Sequence, residues 1–308
     1  MKSLSLSTLA ELAGAELIAG NGERVATGVG IDSRTIHPGE LFVAIRGEKQ
    51  DGHAHVLEAA EKGAIAALVE KPVTVKVAHG FSILRVPNTQ IALQKMAKGY
   101  RRLLSVRVAS ITGSSGKSST KEMLAAVLET TGRTHRTKGN LNNHFGVPLT
   151  LLGIGAEDRW AVVELAMNSP GEIGALAELA GPEVGVVTNI GWAHIEGMGS
   201  KEETAKEKGA LYRALPADGL AISNADDPLE KITLEGCRAR VVRVGRSKGA
   251  DYRLGEVTCE GNSTRFVCEG PRGRMDVRIS VPGAHMAMNA AQAWAAGVEL
   301  GAEPKAAA

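Results

Sequence analysis

The segment Ser110-Ile111-Thr112-Gly113-Ser114-Ser115-Gly116-Lys117-Ser118-Ser119-Thr120-Lys121 combines residue types suited to phosphate chemistry. Lys117 offers an ammonium that can reach the outer phosphates of a nucleotide, and the Ser118 hydroxyl is a hard ligand for Mg²⁺. The small residues between Gly113 and Gly116 let several backbone N–H groups turn toward one point. A helix that starts there adds its positive dipole end, and together these bind phosphate. The general P-loop pattern asks for glycine where Ile111 stands, so only the compact Thr-Gly-Ser-Ser-Gly-Lys-Ser form is present. The competing reading is a Gly/Ser turn with an exposed lysine.

Further groups fall where sheet proteins bind ligands. Glu164 closes the apolar run Trp160 to Glu164, and a carboxylate at the end of a parallel strand can complete a Mg²⁺ shell beside Ser118. Otherwise it is an exposed strand-end acid. His194 follows the run Val184 to Ile190 in the same manner, although a lone histidine is more often structural. Asn140, Asn142 and Asn143 are three asparagines in four positions, which suits a ligand-binding polar loop or a turn that tolerates left-handed backbone. Asp32-Ser33-Arg34 is either a surface turn with a solvated arginine or a hydroxyl and guanidinium fork for a diphosphate or uracil.

The elements that must position these groups are legible around them. Val106, Val108 and Ile111 form a buried strand before the glycine turn, and Glu122 to Leu128 continues as a helix after it. Toward the N-terminus, Ser7 caps a helix to Ala13, and strands are expected at Val25 to Ile31, Leu41 to Ile45, Ala64 to Val69 and Phe81 to Val86. Asn88 or Thr89 caps a helix over Ile91 to Leu104. Ser200 caps a charged helix to about Leu215, a strand follows at Leu220 to Ser223, and Val241 to Val244 and hairpin segments over Tyr252 to Val281 precede a last Ala-rich helix. Strands alternating with helices predict an α/β protein: a small mixed α/β domain at 1–84, then a doubly wound P-loop-type ATPase domain at 85–308.

Composition narrows the function classes. Aromatics make up 3% of 308 residues, so Ala, Val, Leu and Ile must pack the cores. A net charge of +2 without a basic tract argues against nucleic acid. No apolar run is long enough for a membrane span. Cys237, Cys259 and Cys268 lack metal-site spacing and fit a reducing cytoplasm; the N-terminus lacks a signal-peptide pattern.

Together the motifs resemble the Mur ligases, the ATP-dependent amide-forming enzymes of peptidoglycan synthesis. The resemblance rests on Asp32-Ser33-Arg34, Leu41 to Glu48 with Asp51-Gly52-His53, the phosphate loop, Asn140 to Pro148, Glu164 to Ile173, Asn189 to Gly199 and Lys208 to Tyr212, in family order. It implies a monomeric ligase that joins D-Ala-D-Ala to a UDP-N-acetylmuramoyl-tripeptide through an acyl phosphate. In that resemblance Ser33 and Arg34 lie near the UDP-sugar. Gly113, Ser114, Ser115, Gly116, Lys117, Ser118 and Ser119 hold the ATP phosphates. Ser118 and Glu164 bind the Mg²⁺ that bridges ATP, and His194 binds a second. Lys208 resembles a lysine carried as a carbamate, which makes it an anionic metal ligand. Lys117, Lys208 and His194 are then the catalytic set. Asn143 positions the phosphates or acyl group, and Asn224, Asp226, His285 and Asn289 surround adenine and ribose.

Some positions depart from the family pattern. Ser118 replaces a commoner threonine, Ser169 a frequent histidine, Trp192 a small residue and Met286 an asparagine. Family members also carry a third domain after the last helix, and this chain ends before it, so ligation by these residues alone is expected to be absent or weak. A nucleotide- and UDP-sugar-binding module without turnover is the alternative of another class. A folylpolyglutamate-synthetase-type ligase is disfavoured by Asp32-Ser33-Arg34. Lys206 and Lys208 project about 200° apart on a helix, so only one faces a crevice; the family match places Lys208 inward.

Overall fold

Ser5, not Ser7, opens the first helix: its Oγ accepts the Thr8 N–H at 3.2 Å, the spacing an N-cap requires. The computed structural model describes residues 1–47, 50–73, 80–192 and 198–306. They divide into two units, Met1–Ser105 with His144–Ala156, and Val106–Asn143 with Glu157–Ala308.

In the first unit β1 (Leu4–Ser5) precedes helix α1 (Leu6–Ala13) and pairs antiparallel with β3 (Val25–Ala26). A second sheet holds β2 (Glu16–Ala19), β4 (Gly28–Gly30), β5 (Glu40–Val43), β6 (Ala66–Val69) and β7 (Ser82–Arg85), ordered β2-β7-β6-β5-β4. All its neighbours are parallel except β2 with β7. Helix α2 (Val56–Glu61) connects β5 to β6 after a 3₁₀ turn at Gly52–His55. The motif Asp51-Gly52-His53 is a structural tie: His53 Nδ1 meets Asp51 Oδ1 at 2.6 Å, and its Nε2 accepts the Glu70 N–H at 2.8 Å.

The unit boundary differs from the sequence expectation at 84/85. Helix α3 (Thr89–Arg102), capped by Asn88, buries Ala92, Leu93, Met96, Ala97 and Tyr100, and it packs on α1 and on the short helix Gly146–Leu152. The Tyr100 hydroxyl donates to the Ile154 carbonyl at 2.5 Å. This apolar face draws α3 and residues 144–156 into the first unit.

The second unit is built on a nine-stranded sheet. Its strands are β8 (Arg107–Thr112), β9 (Thr134–Arg136), β10 (Trp160–Glu164), β11 (Val184–Val187), β12 (Leu220–Asn224), β13 (Arg240–Gly245), β14 (Tyr252–Glu260), β15 (Ser263–Gly270) and β16 (Gly273–Ile279). The order is β16-β15-β14-β13-β12-β11-β8-β10-β9, parallel from β14 to β9 with an antiparallel meander at the other edge. Helix α4 (Lys117–Glu129) and the last helix (Ala284–Glu299) pack together against this sheet around Trp160, Ala291 and Trp294. Alanines along the last helix permit this close approach, which compensates for the scarcity of aromatics. The helices Glu172–Ala180 and Lys201–Arg213 pack against each other and reach strands of the same sheet.

Because β8 lies between β10 and β11, chain order reverses across it. Register pairs Glu164 with Ile111 and Val187 with Thr112, so three strand ends open on one crevice.

Candidate functional site

The candidate phosphate loop leaves β8 and enters α4 through two glycines whose conformations are required. Gly116 is the N-cap at φ 78°, and a Cβ there would meet Asn289 Oδ1 at 2.5 Å. A Cβ on Gly113 would fall 1.8 Å from Thr188 Oγ1. Between them the loop is strapped to the end of β11. Ser114 N–H donates to the Asn189 carbonyl at 2.9 Å, and Ser115 N–H to Asn189 Oδ1 at 3.1 Å. Thr188 Oγ1 donates to the Ser115 carbonyl at 2.6 Å. The amides of Ser114 and Ser115 are therefore engaged within the protein. No described acceptor faces those of Gly116, Lys117 and Ser118, which leaves them to an anion at the helix start.

Three charged side chains converge here. Lys117 Nζ donates to the Gly113 carbonyl at 2.8 Å; burial pushes its pKa down, while the Glu164 charge pulls it up. Lys208 is 1% exposed, and burial followed by repulsion from Lys117 lowers it to about 7. Its helix register leaves Lys206 outside, paired with Glu203 at 2.7 Å. Glu164 is 2% exposed; Oε1 accepts from Asn142 Nδ2 at 2.8 Å, whereas Oε2 is buried without a donor among the described residues. A buried, unpartnered carboxylate oxygen beside a phosphate loop fits a hard divalent cation, since leaving it unmatched costs free energy. Ser118 is exposed in the first turn of α4 and can supply a hydroxyl. His194, expected as a further ligand, lies outside the described residues.

The expected base-binding residues divide. Asn289 is 5% exposed and lies against Gly116; His285, a turn earlier on the same helix, is exposed. Asn224 donates from Nδ2 to the Thr188 carbonyl at 2.9 Å, joining the strap. Both Asp226 oxygens accept the Arg246 N–H at 2.9 Å, so this carboxylate holds the turn after β13. Asn143 is exposed. In the first unit, Ser33 is buried and donates to Glu58 Oε2 at 2.8 Å, while the Arg34 guanidinium is exposed and forked onto Asp32 at 2.9 and 2.7 Å.

Sequence reasoning places Asn142 in a polar loop without a specific role, and gives Thr188 and Asn189 no role in the loop. The apolar run predicts a strand reaching Ile190, but β11 ends at Val187, and Thr188 and Asn189 form the loop strap instead. A threonine and an asparagine just past an apolar run were the available signal.

The model of the Mur ligase middle domain matches residues 111–297, and that of the Mur ligase family, catalytic domain, matches 25–105. The chain belongs to the Mur ligase family. Among similar curated proteins, the UDP-N-acetylmuramoyl-tripeptide–D-alanyl-D-alanine ligases of Bacillus subtilis (strain 168) and Escherichia coli (strain K12) are 37% and 38% identical to it. These matches cover 92% and 98% of this chain but 61% and 66% of those proteins, so it spans less than two thirds of their length. A crystal structure of MurF from Acinetobacter baumannii has a TM-score of 0.91 at 29% identity, covering 100% of this chain and 67% of that one. MurF ligase from Thermotoga maritima, in complex with ADP, has a TM-score of 0.78 at 29% identity, covering 90% and 64%. A folylpolyglutamate synthetase mutant of L. casei, at 16% identity and a TM-score of 0.58, shares the fold alone.

Proposed function

We propose that this chain provides the nucleotide- and UDP-sugar-binding parts of an ATP-dependent ligase that adds D-Ala-D-Ala to a UDP-N-acetylmuramoyl-tripeptide. The observation that carries the reading is the convergence of Lys117, Lys208 and the unpartnered Glu164 oxygen at the start of α4. Amide formation from a carboxylate needs activation. The peptide carboxylate attacks the γ-phosphorus of ATP, ADP leaves, and the amine then displaces phosphate from the acyl phosphate while losing a proton.

The protein's part is to position reactants and offset charge. Free amides at Gly116 to Ser118 and the Lys117 ammonium would hold the phosphates. Ser118 and Glu164 would hold Mg²⁺, which would neutralise charge on the phosphoryl group; His194 is proposed for a second ion. A Lys208 amine with a pKa of about 7 is substantially neutral at physiological pH, the form that takes up CO₂ to give a carbamate and a proton. Asn289, His285, Asn224 and Asp226 are proposed for the nucleoside side, Asn143 for the acyl group, and Ser33 and Arg34 for the UDP-sugar. The chain would act in the cytoplasm, where both nucleotides are available.

Calorimetry tests the nucleotide assignment: Lys117→Ala should weaken Mg–ATP binding by ~1–3 kcal/mol, the scale of charge-assisted contacts. Unchanged affinity would reject it. ADP release with the tripeptide and D-Ala-D-Ala present separates a ligase from a binding module that turns nothing over.

A further inference from the structure

We propose that Asn142 is a positioning residue that selects which oxygen of Glu164 is offered to a divalent cation, an inference that rests on the Mg–nucleotide reading above. Glu164 is fixed at two points by the segment 137–142. Its N–H donates to Thr137 Oγ1 at 3.0 Å. Its Oε1 accepts from Asn142 Nδ2 at 2.8 Å. The next turn is fixed in the same way, since the Ala166 N–H donates to the Asn142 carbonyl at 2.9 Å. Asn142 thus grips the end of β10 with its side chain and the residues just past it with its main chain. With Oε1 taken by a neutral amide donor, Oε2 alone is left without a donor among the described residues. A carboxylate held by one hydrogen bond has a fixed lone-pair direction on its other oxygen, which a cation needs.

The bracket also refers Glu164 to the phosphate loop. Lys121, one turn after Lys117 on α4, is 2% exposed and donates from Nζ to the Thr137 carbonyl at 2.9 Å. The helix that begins at the phosphate-binding end therefore sets the position of Thr137, and Thr137 that of Glu164.

The test is the Mg²⁺ coupling of nucleotide binding, read by calorimetry with a non-hydrolysable ATP analogue in excess Mg²⁺ and in EDTA. Asn142→Ala should lower the ratio of the two affinities by about tenfold, the effect of one hydrogen bond to a charged group, with the EDTA affinity unchanged. Asn142→Leu, of similar volume but without the donor, should behave alike. In a Glu164→Gln background Asn142→Ala should have no further effect on the ratio. Equal loss in Mg²⁺ and EDTA would show a merely structural role, and an unchanged ratio in both variants would overturn the proposal alone. A wild-type chain whose affinity ignores Mg²⁺ would overturn the metal reading and this inference with it.

Discussion

The Asn189 side-chain amide grips Ser115 as a second peptide would: Oδ1 accepts the Ser115 N–H at 3.1 Å, and Nδ2 donates to the Ser115 carbonyl at 3.2 Å. Two residues distant in sequence are thereby fixed at the tip of the phosphate loop, with the loop's conformation set before any ligand arrives. Preorganisation of this kind lowers the ordering cost of binding. Asn189→Ala should weaken nucleotide binding roughly threefold to tenfold and speed hydrogen exchange at the loop amides, since each bond contributes about 0.5–1.5 kcal/mol. Unaltered exchange at residues 113–116 would show that the loop holds its shape without the strap.

Gly116→Ala and Gly139→Ala form a matched pair. Both positions have positive φ, 78° and 53°, but only at Gly116 would a Cβ collide, meeting Asn289 Oδ1 at 2.5 Å. Backbone strain alone costs about 1–2 kcal/mol. Urea midpoints should therefore fall for both variants and further for Gly116→Ala, which should also lose nucleotide affinity. Equal losses would mean that Asn289 yields without cost.

Trp192 is 71% exposed, with Lys201 Nζ 4.1 Å above its ring, while Trp160 and Trp294 are buried. Its neighbour Gly191 donates to and accepts from Ser114 Oγ in the phosphate loop. Acrylamide should quench a single tryptophan class, and adding nucleotide should change its emission. Trp192→Phe should abolish both signals; a full nucleotide response in that variant would place the reporter elsewhere.

Glu58 in the first unit is held at a pKa of about 2, chiefly by the Lys62 ammonium and then by the Ser33 hydroxyl. A depressed carboxylate pKa means that the unfolded chain binds the extra proton, so the contribution is complete above the ordinary glutamate range and is lost as pH falls through about 2. In a carboxyl NMR titration Lys62→Met should raise the Glu58 midpoint more than Ser33→Ala. Stability of the variants should fall less steeply than that of the wild type over the same acid range. A midpoint unmoved by Lys62→Met would refute the assignment.

Much of the site was readable because its signals are local. The strand, glycine turn and helix from Val106 to Leu128 occur as expected, β10 ends at Glu164, and Ser200 caps the helix whose register turns Lys208 inward and Lys206 outward. Each depends on periodicity or on a cap a few residues away, which a single segment specifies by itself.

The sequence by itself determined that this chain is α/β, that a glycine turn joins a strand to a helix at 113–119, and that an acid and a lysine lie beside it. Tertiary structure decided that Asn142 holds Glu164, that Thr188 and Asn189 strap the loop, and that α3 joins the first unit rather than the second. The first two of these follow from strand order. With β8 set between β10 and β11, hydrogen-bond partners come from segments 22 to 74 residues apart. No local propensity encodes such pairings; they are fixed only when the apolar faces pack and bring the strand ends together.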